Sequence, residues 1–108
     1  MALKVLLDEN IPERFRYELT NFDTYTVRYM GWKGVKNGGL LRLMIAENFQ
    51  LLITFDQLLA VEHQIHQLPL SILVVKSNNN WIDDLLERKD QIIQILHLWE
   101  ASKIYFID

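Results

Sequence analysis

The chain has 108 residues, 50% of them hydrophobic, and a formal charge of −3, a size and composition that fit one domain, residues 1–108, burying a single core. It contains no cysteine, which excludes a disulfide framework, a thiolate nucleophile and a thiolate metal ligand and fits a reducing cytosol. No apolar run approaches the roughly 20 residues that span a bilayer, and Met1-Ala2-Leu3-Lys4 leads straight into a strand with no charged and apolar leader, so a cytoplasmic protein with no membrane partner is expected.

The small net charge hides an asymmetry. Residues 13–42 hold six cations (Arg14, Arg16, Arg28, Lys33, Lys36, Arg42) against three anions, whereas residues 47–108 hold four cations against nine anions. A basic face on an otherwise acidic chain can follow a nucleic-acid backbone. Charge alone supports a solvated surface of mixed sign equally well.

In chain order, the apolar run Leu3-Lys4-Val5-Leu6-Leu7 reads as a buried strand. Pro12 suits the first turn of a helix over Glu13–Leu19, where its missing N–H is no loss. Thr24-Tyr25-Thr26-Val27, β-branched and aromatic, reads as a second strand. Gly31, Gly34, Gly38 and Gly39 put a loop over Met30–Gly38, and Leu40, Leu41, Met44 and Ile45 then recur at helical spacing. Leu51–Phe55 is a third strand and Gln57–His66 a short helix stopped before Pro69. The wholly apolar Ser71-Ile72-Leu73-Val74-Val75 suits a central parallel strand. Asn80 caps a long helix marked by Ile82, Leu85, Leu86, Ile92, Ile93, Leu96 and Trp99, bent near Arg88-Lys89-Asp90, with Asp83, Asp84 and Glu87 in its early turns. Ile104-Tyr105-Phe106 closes the order βαβαβαβαβ. Right-handed crossovers then predict a three-layer α/β/α sandwich around a mainly parallel sheet of about five strands.

This topology gives the polar residues a place. Ligands of open α/β sheets bind outside the carboxyl ends of the strands, and Asp8-Glu9-Asn10 follows the first strand while Asp56 follows the third. The Lys76-Ser77-Asn78 corner is expected at the same edge. Two acids on separate strand ends suggest a shared site, although an Asp at such a position is also an ordinary turn former.

Three phrases carry a resemblance: Leu6-Leu7-Asp8-Glu9-Asn10-Ile11-Pro12; Gly31-Trp32-Lys33-Gly34 with Lys36-Asn37-Gly38 and Leu40-Leu41; and Leu52-Ile53-Thr54-Phe55-Asp56 followed by Leu59. Together they resemble the PIN-like family, in its small stand-alone branch encoded as toxin-like partners in bacterial toxin–antitoxin pairs, over nearly the whole chain. The resemblance implies a metal-dependent ribonuclease, an RNA substrate and a cognate antitoxin, with a homodimer left open. Clustered carboxylates of this kind hold Mg²⁺ or Mn²⁺, which bind water and phosphate together. Asp8 and Asp56 match the family's strand-end acids and Glu9 its second N-terminal acid, so these three are the expected catalytic residues and metal ligands. Adjacent residues of an extended strand point to opposite faces, which would set Glu9 apart from Asp8. Asn10, Thr54 and Asn37 are the supporting polar residues. Lys33, Lys36 and Arg42 are candidate phosphate contacts, and Trp32 is either a platform for an RNA base or an anchor for its loop.

The chain departs from the family pattern at two positions. Gly39 stands where relatives usually place a glutamate, and Leu58 where they usually carry an asparagine or aspartate. Fewer polar ligands predict weaker metal affinity, and they keep open an inactive PIN-like interaction module. A phosphoacceptor receiver domain is a third reading, with Asp56 as acceptor; against it, Gln57-Leu58-Leu59-Ala60 lacks the usual Met-Pro turn and Lys76 follows the fourth strand instead of the fifth. His63 and His66 at i and i+3 would share one helix face and could hold a transition metal, against structural roles for them and for His97 in a chain with no cysteine and no second ligand pair nearby. Trp81 and Trp99 are expected in the core or an interface.

Overall fold

The computed structural model describes residues 2–77, 79 and 82–108. Five strands, β1 (Lys4–Leu7), β2 (Asp23–Thr26), β3 (Leu51–Thr54), β4 (Ser71–Val75) and β5 (Ile104–Ile107), form one sheet in the order β2-β1-β3-β4-β5, every neighbouring pair parallel. Of the three inner strands, β3 and β4 are buried at every residue and β1 at all but Lys4, while the edge strands β2 and β5 are partly open. Continuous apolar runs therefore sit where both sheet faces are covered, and mixed sequences sit at the edges.

Alternation along the strands sorts the core into two layers. Val5, Leu7, Leu51, Ile53, Leu73 and Val75 face a layer made of a 3-10 helix (Glu13–Glu18) and two α-helices, here called α3 (Ile82–Glu87) and α4 (Lys89–Leu98), through Phe15, Leu85, Ile92 and Leu96. Leu6, Leu52, Ile72 and Val74 face α1 (Asn37–Ala46), α2 (Leu59–Glu62) and a 3-10 turn (Ile65–Gln67), through Leu40, Met44, Leu59 and Ile65. The result is the three-layer α/β/α sandwich expected from the element order.

The expectation of uniformly right-handed crossovers is corrected. The β1-to-β2 connection runs one way along the sheet and the β4-to-β5 connection runs the other way, yet both lie on the same face. The remaining two connections lie on the opposite face and run toward β5. The β4-to-β5 connection thus has the opposite hand to the other three, against the usual rule. The face it covers would otherwise be shielded by the six-residue 3-10 helix alone.

Three helices also differ from the sequence reading. The first is a 3-10 helix, not an α-helix. The expected Gln57–His66 helix breaks at His63, whose backbone is extended. Continuing it would align His63 and His66 with Leu59 and throw Ile65 off the buried face; the break lets Ile65 reach the core, where it is fully buried. The long C-terminal helix turns at Arg88, where a bend is expected, but it is there divided into two helices, and the Arg88 side chain donates from Nη1 to the Asp84 carbonyl at 2.9 Å. The cap expected at Asn80, the position of Trp81 and the Asn78 part of the polar corner lie outside the described residues, while Trp99 packs half-buried against the core as expected.

Candidate active site

Because all five strands run parallel, their carboxyl ends share one edge, and β1 and β3, which deliver Asp8 and Asp56, are immediate neighbours. The Asp8 N–H continues the ladder by donating to the Ile53 carbonyl at 2.9 Å. This places Asp8 beside Thr54, the last residue of β3.

Thr54 is fully buried and its hydroxyl joins the two acids. Oγ1 donates to Asp8 Oδ2 at 2.6 Å and accepts the Asp56 N–H at 2.9 Å. Asp8 Oδ1 accepts the Glu9 N–H at 2.8 Å. Asp56 Oδ1 accepts the Leu58 N–H at 2.9 Å, which starts α2, and Oδ2 accepts from Asn37 Nδ2 at 3.2 Å, at the first residue of α1. Asn10 Oδ1 lies 3.4 Å from the Phe55 N–H that it accepts. Each carboxylate oxygen has about two lone-pair positions, so both acids retain acceptor capacity beyond these contacts. The turn-forming role of Asp56 and a ligand-binding role are therefore compatible.

Asp8 is only 9% exposed. Burial pushes its carboxyl above the ordinary value of 3.8; the hydrogen bonds from Thr54 and the Glu9 N–H oppose the rise, and the nearby charges of Asp56 and Glu9 add to it. Burying a carboxylate beside like charge disfavours ionisation. A cation at this edge would relieve that penalty.

Glu9 does not join the pair. Its Oε1 accepts the Gly34 N–H at 2.8 Å, across to the loop before α1, where Gly34 has φ +81°. Among the described residues no three His, Cys, Asp or Glu side chains converge closely enough to hold a metal ion. The three acids thus form no three-carboxylate cluster: Glu9 lies in the turn that follows β1, closed by the Ile11 N–H on the Asp8 carbonyl at 2.9 Å, and its carboxylate ties down the loop before α1. His63 and His66 are separated by the helix break, and His66 Nδ1 lies 3.0 Å from the Ser102 carbonyl oxygen. His97 packs against Phe22 with ring centroids 5.1 Å apart.

The candidate nucleic-acid contacts divide. Lys33 lines a cleft of about 290 Å³ together with Asp8, Glu9, Glu13, Thr26 and Arg28. Lys36 and Arg42 are exposed at the start and on the outer side of α1. Trp32 is half-buried with its ring edge-on to Phe49, centroids 5.7 Å apart, so it anchors its loop to the core and is no free stacking platform. Sequence reasoning missed Thr26 and Arg28 beside the acids, because only the pairing of β2 with β1 brings them there.

Two other depressions compete for attention. One, about 820 Å³, is lined by Ala2, Lys4, Asn21, Phe49, Gln50 and Pro69 at the amino ends of the strands, away from the acids. Lys4 Nζ is already engaged there by the Glu47 carbonyl at 2.6 Å. The second, about 260 Å³, contains Lys76, Ser77, Asp84, Arg88 and Asp108 at the carboxyl edge. In it Ser77 Oγ donates to Asp84 and Arg88 Nε donates to the Asp108 carbonyl at 3.1 Å.

Comparison with protein-family models, with curated proteins and with solved structures gave no match. No helix among the described residues is long and apolar enough to cross a membrane.

Proposed function

We propose that the chain is a PIN-like ribonuclease of the toxin kind, dependent on Mg²⁺ or Mn²⁺, acting in the cytoplasm under the control of a cognate antitoxin. The observation that supports this reading is the pair Asp8 and Asp56 on adjacent parallel strands, coupled through the Thr54 hydroxyl. The donor set suits the ion: Mg²⁺ keeps several waters and is commonly held by one or two carboxylates together with substrate phosphates. When bound, such an ion supplies an activated water and neutralises charge on the phosphoryl oxygens.

The residues of the chain divide the remaining work. Asp8 and Asp56 would hold the ion. Thr54 fixes the rotamer of Asp8, and Asn37 with the Leu58 N–H fixes that of Asp56. Asn10 holds the backbone between them at Phe55. Lys33, on the rim of the cleft, offers a cation to the phosphate.

An interaction module is the second reading, favoured by the apolar residues beside the site. Leu58 is 62% and Val61 77% exposed, and Leu58 occupies one of the positions where a polar ligand is expected. The receiver reading gains from the strand order, which is that of doubly wound receiver folds. It loses at β5, which is followed by Asp108 in place of the lysine it requires, and at the reversed hand of the last connection.

The deciding experiment incubates the purified chain with labelled single-stranded RNA in Mn²⁺ or EDTA, beside Asp56→Asn. Cleavage that needs Mn²⁺ and is lost in the variant is expected. Folded wild type that leaves the RNA intact in millimolar Mn²⁺ removes the nuclease reading and leaves the interaction module.

A further inference from the structure

We propose that a groove running from the acid cleft along the 3-10 helix is the track for a single-stranded polynucleotide, with Arg14, Arg16 and Arg28 as phosphate contacts and Tyr17 and Tyr29 as base platforms. This rests on the reading of the cleft as a phosphodiester site. None of these five residues follows from the resemblance.

The groove is continuous in its lining. The cleft that holds Asp8 and Lys33 includes Pro12, Glu13, Thr26 and Arg28 in its wall, and those same four residues line a neighbouring depression of about 640 Å³ that contains Arg14, Arg16, Tyr17 and Tyr29. Register explains the continuity. Thr26 pairs with Leu7 at the end of β1, so the turn after β2 lies alongside Asp8, and the 3-10 helix that leaves β1 runs beside that turn.

Its charge fits phosphate. Arg14 and Arg16 form no ion pair among the described residues, and Arg28 Nη1 meets Glu13 Oε2 only at 3.8 Å with both side chains largely in water. Glu13 is the opposing charge at the junction, and it accepts from the Thr26 hydroxyl at 3.4 Å. The acidic bulk of the chain from residue 47 onward repels a polyanion, so this face is where one can approach.

Its aromatic residues fit bases. Tyr17 and Tyr29 are 67% and 66% exposed, large apolar rings left in water beside cations. The Arg16 guanidinium lies 5.3 Å from the Tyr17 ring centroid and 6.0 Å from that of Tyr29, which sets both rings around one cation. Tyr29 is further steadied by Tyr25, centroids 5.7 Å apart. Exposed rings beside a basic groove are the pattern by which single strands are bound without sequence readout, phosphates on arginine and bases on π-faces. A duplex keeps its bases stacked inside and cannot use the tyrosines.

The test measures fluorescence anisotropy of a fluorescein-labelled 12-nucleotide single-stranded RNA with the full chain in EDTA, where binding is separated from cleavage. Arg14→Gln with Arg16→Gln should weaken binding at least tenfold and flatten the salt dependence by a slope of about 1.4, since each phosphate contact on a single strand contributes about 0.7. Tyr17→Ser, at an exposed ring, should weaken it by about five- to 150-fold, the range of one stacked base. Lys103→Gln, at the amino end of β5, should change it less than twofold. Equal affinity for wild type and the arginine variant, equal loss in Lys103→Gln, equally tight binding of duplex RNA, or displacement of the RNA by a poly-glutamate peptide at equal charge would each overturn the groove. RNA bound as described but never cut in Mn²⁺ would overturn the nuclease and leave the groove; RNA cut with wild-type efficiency by the arginine variant would do the reverse.

Discussion

Thr54 Oγ1 lies 2.6 Å from Asp8 Oδ2, and in the same position it accepts the Asp56 N–H, so one buried hydroxyl sets the spacing of two strand ends. A threonine is needed for both bonds, one donated and one accepted. Valine has the same shape but neither function. Thr54→Val should therefore cost about 1–3 kcal/mol, the range for leaving buried partners unsatisfied, read from urea melts. Mn²⁺ affinity should fall with it, and Thr54→Ser should restore both. A valine variant as stable and as metal-competent as wild type would separate Thr54 from the site.

The raised carboxyl of Asp8 predicts a pH dependence of stability. Its folded-state value lies above the unfolded one, so the folded state holds the proton more tightly. The resulting stabilisation is complete below the unfolded value of 3.8 and is lost as pH rises through the folded value. Asp8→Asn removes this titration. In metal-free buffer the wild type should lose stability relative to Asp8→Asn as pH rises from below 3.8 toward neutrality, and Mn²⁺ at neutral pH should restore the wild type alone, because a ligand bound only by the folded state stabilises it. A pH-independent difference between the two proteins would contradict the assignment.

Glu9 separates a loop tether from a metal ligand. Its Oε1 holds the Gly34 N–H at 2.8 Å in an exposed contact, so Glu9→Gln, which keeps an acceptor, should leave Mn²⁺ affinity within about twofold of wild type, while Glu9→Ala should shift the Gly34 amide resonance. Both effects follow from a hydrogen bond to an ordinary backbone donor. If Glu9→Gln weakens Mn²⁺ binding as strongly as Asp8→Asn, Glu9 is a ligand after all.

What the sequence made legible depended on whether one segment sufficed. Leu51–Thr54 and Ser71–Val75 declare themselves because burial on both faces demands uninterrupted apolar runs. Asp8 and Asp56 were legible as strand-end acids for the same reason. What escaped needed two segments at once. The hand of the last connection depends on which face needs cover. The position of Arg28 beside Asp8 depends on β2 pairing with β1 and not with another strand. The break at His63 depends on where Ile65 finds the core. The role of Glu9 likewise depends on its partner Gly34, which lies 25 residues away and which only the fold brings near.

Gly39 and Leu58, the two departures from the pattern of the proposed family, supply the remaining test, and their surroundings show what each substitution costs. Leu58 is 62% exposed at the start of α2, so Leu58→Asn opens no cavity, and its N–H still reaches Asp56 Oδ1. At Gly39 a Cβ would stand 3.3 Å from Val35 Cγ1, a close contact that the partly exposed Val35 relieves by a small shift. Replacing a glycine inside a helix gains roughly 0.5–1 kcal/mol, and an anion in the first turn is favoured by the helix dipole. Gly39→Glu with Leu58→Asn should thus fold at least as stably as wild type. If a weakened ligand set limits the activity, the double variant should cleave single-stranded RNA at least tenfold faster in Mn²⁺, and adding Asp56→Asn should abolish the gain. Equal rates for wild type, the double variant and the Asp56→Asn control, all folded, would sink the nuclease reading and leave the exposed Leu58 and Val61 as the contact surface of an interaction module.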